Sequence, residues 1–194
     1  MTTYELIRSL GLVAYLAFSV SVGLGIASRS GGLSPRALDR RIVRQLVHRS
    51  AAVLGLVALA AHLGLIVSDS YITTTIGAVL IPFTSAYRTT ALGLGSVAMY
   101  GFVVAAVSGW ARLRIGRIIS ERGWRWVHRV AYGAWVLSLL HGVTAGPDLH
   151  QPWALSVYGI GMLVVAAGFG AHRRGRRHVL RRDPSGAFSL PEAR

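Results

Sequence analysis

The sequence predicts an all-α integral membrane protein: a bundle of five transmembrane helices, N-terminus outside and C-terminus inside. Three observations predict the bundle. Five apolar runs approach the roughly 20 residues that a crossing needs. Only 14% of the 194 residues are charged against 53% hydrophobic, and the mean hydropathy is +0.50. A soluble domain carries about a quarter charged residues. The basic residues also divide unevenly between alternate loops.

The runs are Leu6 to Ala27, Ile42 to Val67, Thr90 to Leu113, Trp124 to Thr144 and Ala154 to Ala171. The first is longer than the apolar core of a signal peptide and is closed by no A-x-A site, so it reads as a span. All 21 basic residues are Arg, and the net charge is +14. Six Arg lie between Ser28 and Arg49, six between Ala111 and Arg129, and seven after His172, against two elsewhere, Arg8 and Arg88. The Arg-rich side is expected to be cytoplasmic. Trp110, Trp124 and Trp126 then fall at the inner boundary and Trp153 at the outer one. Arginines spread over every inner loop orient a membrane protein and touch anionic lipid. They form no single compact face, so no nucleic-acid partner is expected. Residues 1–172 read as one membrane domain, and residues 173–194 as a basic, disordered cytoplasmic tail.

Cys is absent. Thiolate zinc sites, iron–sulfur clusters and c-type haem attachment are therefore excluded. The informative residues are His48, His62, His128 and His141, two in each of two spans that run in the same direction. Ionisable residues inside spans are costly and mark function. His48 and His128 sit near the inner ends, each in Val-His-Arg, and His62 and His141 lie deeper toward the outside. At 1.5 Å per residue, the steps of 14 and 13 separate the levels by about 21 Å and about 20 Å. Two pairs at matched depth result, His48 with His128 and His62 with His141. A step of 14 ends about 40° short of whole turns, and a step of 13 about 140° short. The fourth span therefore needs an irregularity, for which Gly133 is the expected place. Two depths forbid one metal cluster, and no H-E-x-x-H is present. Iron in haem b, one ring clamped by each pair, fits this pattern. With both axial positions taken by imidazole, electron transfer is favoured over oxygen binding. His150, His172 and His178 read as surface residues.

The paired spacings, His-x13-His in one span and His-x12-His two spans later, resemble the ferric reductase-like transmembrane family. That family includes NADPH oxidases, ferric-chelate reductases and a bacterial haem subunit. The outer segment Ile81-Pro82-Phe83 with Ser85-Ala86-Tyr87-Arg88 looks like its bacterial branch. The likeness covers roughly residues 6 to 172. It implies two b haems on the four histidines and electron flow across a bacterial cell membrane. Only 22 residues follow residue 172, and no G-x-G-x-x-G follows a strand. Flavin or nicotinamide chemistry is therefore expected from a separate reductase or flavoprotein, or electrons from quinol. The acceptor is expected outside: ferric chelate, flavoprotein or oxygen.

Arg49 and Arg129 are expected either to pair with propionates of the inner haem or to snorkel at the interface. Arg88, with Tyr87, is expected at the outer haem propionates or free in its loop. The apolar stretch Ile76 to Phe83 reads as an outer lid or an interfacial segment. Gly93 and Gly95 read as helix-packing residues, and Tyr132 and Trp135 as aromatic packing between the His levels. Two other functions remain: a proton or ion transporter with a histidine relay, which predicts acidic partners within the spans, and a non-redox membrane anchor.

Overall fold

The computed structural model describes residues 2–28, 35–69, 75–86, 88–115, 119–146 and 151–182. Tyr87 and His150 lie outside the described residues, as does the chain beyond Arg182. Backbone groups facing hydrocarbon must bond within their own segment, so apolar runs of this length fold as helices. Among the described residues eight helices result: α1 (Thr3–Ala27), α2 (Pro35–Ser68), α3 (Ile76–Leu80), α4 (Thr89–Trp110), α5 (Arg112–Ile115), α6 (Glu121–His128), α7 (Val130–Ala145) and α8 (Pro152–Arg182).

Local chemistry starts and stops them. A capping box opens α1: the Glu5 N–H donates to Thr2 Oγ1 at 3.3 Å, and the Thr2 N–H donates to Glu5 Oε2 at 2.8 Å. Proline begins α2 and α8, where its missing N–H costs nothing. Two arginines close helix ends. Arg44 donates to Ala27 O at 3.1 Å, at the end of α1, and Arg88 donates to Thr144 O at 2.8 Å and Ala145 O at 3.1 Å, at the end of α7.

Among the described residues, α1, α2, α4 and α8 over Pro152–Gly175 are long and apolar enough to cross a membrane. The fourth predicted run differs. It is two helices that meet at Arg129, and α7 alone has 16 residues. The Arg129 N–H is shared between Arg125 O at 3.1 Å and Trp126 O at 3.2 Å, and the Tyr132 N–H reaches back three residues to Arg129 O at 2.9 Å. This is a tight turn of 3₁₀ character. The irregularity expected at Gly133 therefore lies at Arg129, and Gly133 is an ordinary member of α7. A second difference is at the C-terminus. Helix α8 runs on to Arg182, so the first ten residues of the segment expected to be disordered are helical.

Helix α1 packs along α2 and α8 and also meets α7, while α4 packs along α7 and α6. Helices α2 and α7 have no comparable packing on each other. Between them the core is small: Ala14, Phe18, Ala58, Ala98, Phe102 and Ala134. Phe18 and Phe102 stack at 3.7 Å between centroids and 7° between planes, which contributes about 0.5–1.5 kcal/mol beyond burial. The α1–α8 contact is closer. A Cβ on Gly168 would run into the backbone of Gly23, so these backbones approach as small-residue membrane interfaces do. Trp135 donates from Nε1 to the fully buried Ser19 Oγ at 2.8 Å, tying α7 to α1. Large apolar side chains of α2, α4 and α8, among them Val53, Val57, Val103, Val107, Leu163 and Phe169, point outward.

The short helix α3 neither spans nor lies free. Its carbonyls are held by α4, with Ser96 Oγ donating to Val79 O and Tyr100 Oη donating to Leu80 O, both at 2.6 Å. Tyr100 lies 11 residues into α4, about 16 Å along its axis. The segment therefore runs down the flank of α4 and also reaches α2. Phe83, at a left-handed φ of 65°, packs on the bare backbone of Gly93.

Candidate metal centres

The four histidines are seated by one device used four times. His48 Nδ1 lies 2.7 Å from Ser21 O, and His62 Nδ1 lies 2.7 Å from Ile7 O, both on α1. His128 Nδ1 lies 3.0 Å from Ala105 O, and His141 Nδ1 lies 2.7 Å from Ala91 O, both on α4. A carbonyl only accepts, so each Nδ1 carries the proton and each Nε2 of a neutral ring keeps a lone pair. Histidines that ligate metals are held in this way, the spare N–H donating to a carbonyl that fixes tautomer and ring orientation.

Each acceptor carbonyl already takes the helical bond from the residue four positions on. That residue is glycine in every case: Gly11, Gly25, Gly95 and Gly109. A Cβ there would lie 3.1 Å from the His62 ring, 3.4 Å from His48, 2.7 Å from His141 and 3.2 Å from His128. The missing side chain admits the imidazole to the carbonyl. The inner pair has an added hydroxyl each, with Ser21 Oγ 3.0 Å from His48 Nδ1 and Ser108 Oγ 3.2 Å from His128 Nδ1.

The structure brings His48 and His128 together, with ring centres 6.2 Å apart and planes 67° apart. Two imidazoles that each bind one metal through one nitrogen, at about 2 Å per bond, put their ring centres about 6 Å apart. His62 and His141 lie at the other level, near enough to interact electrostatically. All four rings are half-buried. Among the described residues no three His, Asp or Glu cluster as a bare-ion site would require. The donor set is two separate pairs of imidazoles, which fits a ring-borne metal with two axial ligands at each level.

The tight turn at Arg129 explains how 13 residues do the work of 14. A three-residue 3₁₀ turn rises about 1.5 Å more than three α-helical residues, the rise of the missing residue. It also rotates about 60° further, which brings the shortfall from about 140° to about 80°.

The arginines separate. Arg129 is half-buried over the Trp126 ring at 5.1 Å, and its Nε is buried without a hydrogen-bond partner among the described residues. Arg49 is exposed. Arg88 is no free loop charge, since it holds the last carbonyls of α7. Beside it an open cleft of about 540 Å³ is lined by Arg88, Thr89, Thr90, Ala91, Leu94 and Thr144.

The seat glycines are what sequence reasoning missed. Gly95 was expected to pack helices and instead underlies His141. The signal is present in the sequence as Gly-x13-Gly in α1 and again in α4, the spacing of His48 and His62. Elsewhere Gly55 lies against Phe18 and Gly161 against Tyr15, whereas Gly64, Gly159 and Gly170 face open space.

Among the described residues the chain is all-helical, with four helices long and apolar enough to cross a membrane and four histidines seated on α1 and α4. No family model matches the chain, and no curated protein or solved structure is significantly similar to it.

Proposed function

We propose that the chain is a two-haem b electron-transfer protein of ferric reductase-like type. In this reading α6 and α7 together make a fifth crossing, the N-terminus is outside and the C-terminus inside. Electrons pass from a cytoplasmic-side or quinol donor to an extracytoplasmic acceptor, such as ferric chelate, a flavoprotein or oxygen. The observation that carries it is the common seating of the four histidines. Each Nδ1–H is committed to a neighbouring helix, each Nε2 lone pair is left over, and the inner rings stand 6.2 Å apart.

Bound haem b would supply one-electron exchange. The chain's own residues do the rest. His48 and His128 hold the inner group, and His62 and His141 the outer one. Arg129, with its unpartnered buried Nε, is the arginine best placed for an inner carboxylate. Phe18, Phe102 and the alanines around them fill the space between the levels and keep water from it. A histidine proton relay is less well supported. It needs acidic partners within the spans, and Glu5, Asp39, Asp69 and Glu121 all lie at or beyond the ends of the apolar runs.

The reduced-minus-oxidised spectrum of the purified protein tests the reading. It is expected to show b-type bands and about two haems per chain, as bis-imidazole ligation requires. His48→Ala or His128→Ala should lose one haem, and His62→Ala or His141→Ala the other. Protein that stays colourless after haem supplementation overturns the proposal.

A further inference from the structure

The inner and outer histidine pairs are not equivalent. His128 ends α6, and Trp124 stands one turn before it on the same short helix. The two rings stack at 5.2 Å between centroids and 14° between planes. Among the described residues none of the other three histidines stacks on an aromatic ring. Trp124 is itself fixed. Its Nε1–H donates to Ser108 O at 2.8 Å, the Arg112 guanidinium lies over its ring at 4.6 Å, and Arg112 reaches Glu121 at 3.7 Å. The His128 plane is thus set from two sides, by Nδ1 on α4 and by the indole face. The resulting plane stands at 67° to that of His48.

We infer that Trp124 is a positioning residue that holds the axial imidazoles of the inner haem in a crossed arrangement. The inference rests on the two-haem reading. The physical consequence is specific. Parallel imidazole planes both donate π density to one iron orbital and split the dπ pair. Crossed planes donate to both orbitals and leave them nearly equal in energy. A low-spin ferric iron then shows a large maximal g value, and its reduction potential shifts through the ligand geometry alone. The inner haem should therefore carry the higher g maximum of a crossed pair, held there by the indole stacked on His128.

The test is low-temperature EPR of the full-length ferric protein with both haems bound, together with a redox titration. The inner signal is the one lost in His48→Ala. In Trp124→Leu the inner g maximum should move down toward the range of parallel planes, and the inner midpoint potential should shift, with the outer signal unchanged. Trp124→Phe, which restores a stacking face, should return the inner signal to its wild-type position. Trp124→Leu with two haems and an unmoved inner signal overturns the inference and leaves the two-haem reading standing. Loss of the inner haem in both variants overturns it as well, because the indole would then be needed for binding and not for the plane. Wild-type protein that takes up no haem overturns the two-haem reading, and this inference with it.

Discussion

A glycine four residues after each acceptor carbonyl lets a histidine ring reach the backbone of the next helix. Space at these positions is unequal, and that inequality is measurable. A methyl group at Gly95 would meet His141 Nδ1 at 2.7 Å, inside any real contact, whereas at Gly25 it would meet His48 at 3.4 Å, an ordinary one. Gly95→Ala should therefore displace His141 and cost the outer haem, while Gly25→Ala should keep both. Either change improves helix propensity by about 1 kcal/mol, so a loss cannot come from weakening the helix itself. Haem content per chain by pyridine haemochrome assay reads the difference. Equal haem loss in both variants would show that the seats do not work by steric admission.

Among the elements, the divided helix α6–α7 decides the geometry of two of the four histidines. Its tight turn at Arg129 makes a 13-residue step match the 14-residue interval between Ala91 and Ala105, the carbonyls that hold its rings. An alanine inserted directly after Arg129 would turn His141 by about 100° and raise it by about 1.5 Å. The variant should keep the inner haem, because Trp124 and His128 precede the insertion, and lose the outer one. Retention of both haems would mean that the turn relaxes to regular α-helix and that the strict 13-residue step is not needed. Helix α3 shows a second rule of membrane folding. Its short apolar stretch has free carbonyls that hydrocarbon cannot satisfy, and Ser96 and Tyr100 supply the donors.

For the whole molecule, two helical hairpins share one plan. Gly11 and Gly95, Ala14 and Ala98, Phe18 and Phe102, and Gly25 and Gly109 are each 84 residues apart. Helix α4 thus repeats α1, and α6–α7 repeats α2 with one residue fewer between its histidines. Helix α8 has no counterpart in this plan and packs chiefly against α1. Such a repeat places both hairpins in the same orientation, which agrees with the arginine count. The absence of Cys makes that orientation easy to examine. Single cysteines at Ser68 and Ser120, reacted with an impermeant maleimide on intact cells, should label at position 68 and stay unlabelled at 120 until the cells are opened. The reverse pattern would invert the proposed topology.

Much of this was legible in the chain itself. Runs of apolar residues, arginines gathered on alternate loops and His48, His62, His128 and His141 at two intervals are linear patterns, and hydrocarbon thickness and helical rise turn them into spans and depths without any tertiary contact. The position of the break was not legible, because Arg129 has no intrinsic preference for a tight turn over Gly133. The turn falls where the α4 carbonyls require the rings to be. Nor was the end of the fourth run legible, where Arg88 closes α7 and does not stand free in its loop. Only the packed structure decided which nitrogen of each histidine is committed and which plane each ring takes. Those depend on a carbonyl, a glycine and an indole brought from other turns and other helices, and no spacing along the chain records a contact between two backbones.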